Sequence, residues 1–138
     1  MSVLRSERKP SKMDVQTKAA ELAKYTIDNA LKESIVPKRD RWALGNRLVD
    51  TALEMATRID SANTLRLDSI EEASQRRLEQ RMALAATFRM MTLIHTARAI
   101  THFEERIHKH WTELGSEEQE LLRGWMDSDR RRSKANAD

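Results

Sequence analysis

The sequence predicts an all-α protein folded as an antiparallel four-helix bundle, and three observations point there. Apolar residues recur every three or four positions along most of the 138-residue chain, the spacing that lines one face of a helix. Only 3 glycines and 2 prolines are present, too few to turn a chain of many short strands. Charged residues make up 34% of the chain and aromatic residues 4%, which suits helices with solvated outer faces and leaves little material for an aromatic-lined pocket. A chain of this length builds one core. The bundle is expected over residues 13–127, with a flexible basic arm over 1–12 and a flexible basic tail over 128–138.

The arm carries Arg5, Arg8, Lys9 and Lys12 against one acid, Glu7, and has no apolar period. From Asp14 to Ser34, Val15, Ala19, Leu22, Ala23, Ile27, Ala30 and Leu31 mark the buried face of a first helix. Pro37 disfavours helical dihedrals at Val36 and lacks a backbone donor. The chain must therefore turn before the period resumes at Trp42, which makes a helical hairpin. A second helix is expected from Asp40, whose carboxylate can accept from free first-turn amides, to Ala62-Asn63, with Leu44, Leu48, Ala52, Met55 and Ile59 on its inner face. Within it, Gly45 has no side chain and lets another backbone come close, despite the helix cost of glycine.

A third helix is expected from about Asp68. From Arg81 to Ala97 it is apolar on most of its surface, with Arg81, Arg89, Thr92 and Thr96 as a narrow polar stripe at helical spacing. Such a helix needs cover on more than one side, more than three sister helices from a short chain supply. An oligomer interface follows, with Phe88, Met91 and Ile94 at the seam or just beneath it. A fourth helix is expected from His102 to Met126 on Phe103, Ile107, Trp111, Leu114, Leu121 and Trp125. Gly115-Ser116 before Glu117-Glu118-Gln119 reads as a stop followed by a new cap, so a break or kink is expected near Gly115. Beyond Asp129 the basic tail has nothing to bury and is expected to be mobile.

Cysteine is absent, which excludes disulfides, thiolate metal sites and a cysteine nucleophile, and fits a reducing, cytoplasmic setting. No apolar run is long enough to span a bilayer, and the basic N-terminus has no apolar segment behind it, so no membrane contact is expected. Glu105-Arg106-Ile107-His108 has the spacing used by di-metal helical bundles, but no second such element accompanies it; no metal site is expected. His102, His108 and His110 then read as exposed helix residues, and His95 as a hydrogen-bonded core or interface residue. No nucleophile elbow and no glycine-rich phosphate loop occur, so neither catalytic residues nor a cofactor are expected.

Nucleic acid is the ligand class that the charge pattern favours. Trp42, Trp111 and Trp125 could stack on bases, but all three lie on apolar periods and are expected to be buried. The net charge is +3 and unevenly placed: between Gln80 and Phe103 stand Arg81, Arg89 and Arg98 and no acid, while acids gather from Glu104 to Glu120. Guanidinium groups contact phosphates without reading sequence. Glu72 is four residues from Arg76 and can pair with it; Arg77, Arg81 and Arg89 have few acids on their own face. The candidate nucleic-acid site is therefore Arg39, Arg41 and Arg47 around the start of the second helix with Arg77, Arg81 and Arg89 on the third. The competing reading is ordinary solvated helix surface.

Several short motifs carry a family likeness: Tyr25-Thr26-Ile27-Asp28-Asn29-Ala30, Pro37 with Arg41, Leu44-Gly45-Asn46-Arg47, Ala52, Ala62-Asn63 and Trp125. From about Ala23 to Ala99, and more loosely through the last helix, the chain resembles a four-helix-bundle family. That family joins ribosomal-RNA intervening-sequence proteins to the accessory variability determinant proteins of diversity-generating retroelements. The resemblance implies a homopentameric barrel with a positive surface that binds RNA or DNA without strong sequence preference. It also implies a reverse transcriptase partner, whose template-primed cDNA synthesis in mutagenic retrohoming such a protein assists without being an enzyme. Leu121-Leu122-Arg123-Gly124-Trp125 keeps one glycine where the family carries more, and Gly115-Ser116 reads as an insertion. The subfamily therefore stays open, and an intervening-sequence-type bundle with an RNA-related or scaffolding role is the alternative.

Overall fold

A computed structural model describes residues 12–137. Four helices, α1 (Lys12–Ala30), α2 (Asn46–Asn63), α3 (Ile70–Thr101) and α4 (Glu105–Ala137), make up the described chain, with no strand among those residues. Each packs on the next and α4 closes on α1. Side-chain pairs set the directions: Arg89 with Glu54 and Arg58 with Glu79 join α2 to α3, Arg76 with Asp129 and His95 with His108 join α3 to α4, and Lys18 with Glu117 and Trp111 with Thr26 join α1 to α4. In each of these interfaces the numbers rise on one helix as they fall on the other, so neighbours run antiparallel. The basic arm expected over 1–12 lies outside the described residues except for Lys12, which opens α1.

The predicted inner faces meet in one core, where Leu22, Leu48, Met55, Ile59, Met90, Ile94, Trp111 and Leu122 are fully buried. Burial of a large apolar side chain contributes about 1.5–3 kcal/mol, and these residues come from all four helices. The one polar atom of the Trp111 ring is satisfied: its Nε1 donates to the Thr26 hydroxyl at 2.9 Å, and that hydroxyl donates on to Met90 Sδ at 3.4 Å.

Helix boundaries differ from expectation where tertiary contacts compete. α1 ends at Ala30 rather than Ser34, because the chain curls so that Ile35 and Val36 enter the core; both amides return to the Lys32 carbonyl. Leu31, expected inside, is left half-exposed. After Pro37 a 3-10 turn (Lys38–Asp40) and a wide π-type turn (Arg41–Gly45) precede α2. Asp40 makes no capping hydrogen bond; its carboxylate accepts from Arg39 Nε instead. Gly45 lets the start of α2 approach the end of α1 closely: a Cβ there would lie 2.9 Å from the Ala30 carbonyl oxygen. α3 opens at Ile70 with Ser69 as its cap, the hydroxyl accepting from the Glu72 amide. It closes on His102, in the left-handed region at φ 57°, which turns the chain into α4.

The fourth helix is the largest departure. It runs unbroken through Gly115 and on to Ala137, so the expected break is not found and helix continues past residue 127, where the basic tail was expected; Asp138 lies outside the described residues. Gly115 is a point of close approach rather than a stop, since a Cβ there would stand 2.7 Å from Met91 Sδ. Beyond residue 127 the helix is tied down by Asp129, whose carboxylate accepts from Arg76 Nε at 2.6 Å, Arg76 Nη2 at 3.1 Å, Gln80 Nε2 at 2.7 Å and Arg132 Nη2 at 3.0 Å. Arg76 also donates to the Leu65 carbonyl and lies over the Trp125 ring, 5.0 Å from its centroid. Arg76 is thus committed to α4 and not to Glu72. Glu118, which read as part of a capping box, is fully buried mid-helix with both carboxylate oxygens unpartnered. Burial pushes its pKa up from 4.5 to about 9 against the opposing pull of Lys18, so at neutral pH it holds its proton.

Candidate nucleic-acid interface

The six candidate arginines fall into two groups that the fold keeps apart. Pairing of Glu54 with Arg89 sets the α2–α3 register, so Arg47, in the first turn of α2, stands level with the C-terminal half of α3. Arg77 and Arg81 stand beside the last turns of α2, on the order of 20 Å away along the bundle at 1.5 Å per residue. Along the bundle Arg77 and Arg81 are thus separated from Arg47, with Arg89 between them at the level of Glu54.

Each arginine meets a different environment. Arg77 and Arg81, one helical turn apart, are exposed and line a shallow depression with Glu71, Ser74, Gln75 and Leu78. Neither has a carboxylate within ion-pair reach among the described residues. Arg89 does: its Nη2 lies 2.7 Å from Glu54 Oε2 on α2, so scarcity of acids on its own helix face was a poor guide. In the other group, Arg39 is exposed and loosely paired with Asp40 at 3.4 Å, and Arg47 is exposed without an ion pair. Arg41 folds back, with Nη2 3.5 Å from the Leu31 carbonyl and Nε buried without a partner.

The α1–α2 end also carries a residue whose environment the periodicity argument misjudged. Trp111 and Trp125 are buried as expected, whereas Trp42 is 80% exposed. A signal for this was present: Trp42 precedes Leu48 by six residues, about 120° round a helix, off the inner face. No ring or guanidinium among the described residues stacks on it. At the same end, the α3–α4 corner gathers His95, Arg98, Ala99, His102 and His108 around an open depression. His95 is exposed rather than core, and its Nδ1 lies 2.9 Å from His108 Nε2. Burial, then the His95 and Arg98 charges, hold the His108 pKa below its ordinary value, with Glu105 opposing. No cluster of three metal-ligating side chains occurs among the described residues, and no helix there is long and apolar enough to cross a membrane.

The residues expected at an oligomer seam separate by depth. Ile94 belongs to the protomer's own core. Met91 is half-buried against Gly115. Phe88 is 46% exposed with the Arg123 guanidinium 5.5 Å from its ring centre. Other exposed apolar side chains are Leu78 and Ile100 on α3 and Leu53 on α2. Comparison of the chain with known protein families, with functionally described proteins and with solved structures finds no match.

Proposed function

We propose that this protein is a non-enzymatic, nucleic-acid-binding accessory factor that works as a cyclic homo-oligomer, with a pentamer as the family-like form. The observation that carries binding is the unneutralised charge of Arg47, Arg77 and Arg81, exposed and without ion pairs among the described residues. Such groups lose little on meeting a phosphate, because no internal partner has to be given up. Two separated arginine groups per protomer suit an oligomer, in which rotation repeats each patch and multiplies avidity. Phe88, Leu78, Ile100 and Leu53 supply apolar surface for a neighbouring copy. The sequence resemblance supplies the biological setting: a diversity-generating retroelement, with its reverse transcriptase as protein partner.

Counterion release makes phosphate-driven binding steeply salt-dependent. Replacing Arg39, Arg47, Arg77 and Arg81 together by glutamine should leave the helical signal unchanged and make the salt dependence of RNA and DNA binding shallower in a filter assay. Unchanged affinity and slope would remove these arginines from the site. A monodisperse monomer by light scattering at micromolar concentration would remove the ring.

A further inference from the structure

Trp42 is the largest apolar side chain that the fold leaves in water, and the fold holds it there. Leu44 and Gly45 take the inner positions of the turn, with Gly45 backed directly by the Ala30 carbonyl and by Val36. The wide turn Arg41–Gly45 and the buried neighbours on its inner side fix the backbone from which the indole projects. Exposed neighbours are Lys38, Arg39, Ala43, Asn46 and Arg47; the acids are Asp40, already engaged by Arg39, and Asp50 on the next turn. An uncovered indole in a turn whose exposed charged neighbours along the chain are mainly cations matches the chemistry of an unstacked base flanked by phosphates. It does not match a duplex, whose base faces are covered by their neighbours and which offers a protein only groove edges and backbone.

We propose that Trp42 is a base-stacking platform and that Lys38, Arg39 and Arg47 hold the flanking phosphates, making the α1–α2 turn a site for single-stranded RNA or DNA. This rests on the nucleic-acid reading above and narrows it to unpaired strands. Stacking is tolerant of base identity, since every base has a π-face, so the site selects strandedness rather than sequence.

The test compares an oligothymidylate with a duplex of equal length, at fixed salt, on the full chain and on W42A, W42F and a variant with Lys38, Arg39 and Arg47 changed to glutamine. Trp111 and Trp125 are buried, so quenching of solvent-exposed emission reports Trp42. The single strand should quench that emission. W42A should weaken single-strand binding roughly ten-fold or more with an unchanged salt slope, while duplex binding holds and W42F keeps most of the affinity. The glutamine variant should instead flatten the slope. Equal single-strand affinity in W42A and wild type overturns the platform while leaving phosphate binding intact. So does emission already blue-shifted and shielded from iodide in the free protein, which would place Trp42 under a neighbouring copy. Absence of binding to either strand form at low salt overturns the nucleic-acid reading as a whole.

Discussion

The two ends of the bundle use the same side chains to opposite effect. Where α3 begins and α4 finishes, an arginine and a tryptophan are closed together: Arg76 lies over Trp125, both buried, with the guanidinium held by Asp129 and the Leu65 carbonyl. At the α1–α2 turn, Trp42 stands in solvent on a segment that also exposes Lys38, Arg39 and Arg47, where among the described residues only Arg39 has a carboxylate partner, that of Asp40. The difference lies in whether another helix delivers an acid at the same level. Asp129 arrives opposite Arg76 because α4 continues beyond residue 127, and a desolvated guanidinium can be tolerated only with such a partner. Among the described residues no carboxylate from another helix pairs with Lys38, Arg39 or Arg47, so the charge at that end stays unneutralised.

Removing the partner at the closed end should have the largest effect. Asp129→Ala leaves Arg76 buried without its counter-charge, and should cost about 3–5 kcal/mol and melt the last turns of α4. Thermal unfolding and helix content by circular dichroism read both. Trp42→Ala, by contrast, should move stability by less than about 0.5 kcal/mol. If the two substitutions destabilise equally, the distinction between a structural end and a binding end fails.

Glu118, buried between the two ends, tests whether they unfold together. Its folded pKa, about 9, lies above its ordinary 4.5, so between those values the folded state keeps a proton that the unfolded chain releases. Stability from this group is fully present below pH 4.5 and is lost as pH rises towards 9. At pH 7 the penalty is on the order of 3 kcal/mol. Glu118→Leu should remove it, raise the melting temperature at pH 7 and flatten the alkaline decline. A variant as alkali-sensitive as the wild type would show that Glu118 is solvated in solution.

A smaller loss than that of Asp129→Ala is expected at the open end. Gly45→Leu should cost about 1–3 kcal/mol by overpacking, despite leucine's better helix propensity, because the new Cβ meets a backbone carbonyl that cannot swing aside. It should also displace Trp42 and so weaken single-strand binding. Unchanged melting and binding would mean that the turn has room to adjust and does not hold the indole rigidly.

Much of the fold was legible in the order of residues, and little of the candidate site was. Val15, Leu22, Leu48, Met55, Ile59, Trp111 and Trp125 occupy the inner faces that their spacing assigns, because a helix's apolar period is a local property of 3.6 residues per turn. Gly45 was legible for a similar reason: a glycine inside a helical pattern costs stability unless something comes close, and the Ala30 carbonyl does. Ion pairing was not. Spacing lets Arg76 pair with Glu72, one turn away in the chain, but it meets Asp129, 53 positions away; Arg89 found Glu54 on another helix. Spacing reports which face a residue occupies, and only the register between helices decides which residue it meets there.

By itself, the sequence determined that the chain forms helices, how many, which side of most of them turns inward and that the chain must turn before Trp42. Tertiary structure alone decided that α4 runs through Gly115 to Ala137, that Asp129 closes over Arg76, that Glu118 is desolvated and that Trp42 is not. The physical reason is one of range. Backbone hydrogen bonding and apolar periodicity act within a few residues, so they can be read along the chain, whereas desolvation and charge pairing depend on atoms brought from elsewhere and take their values only once the helices have packed.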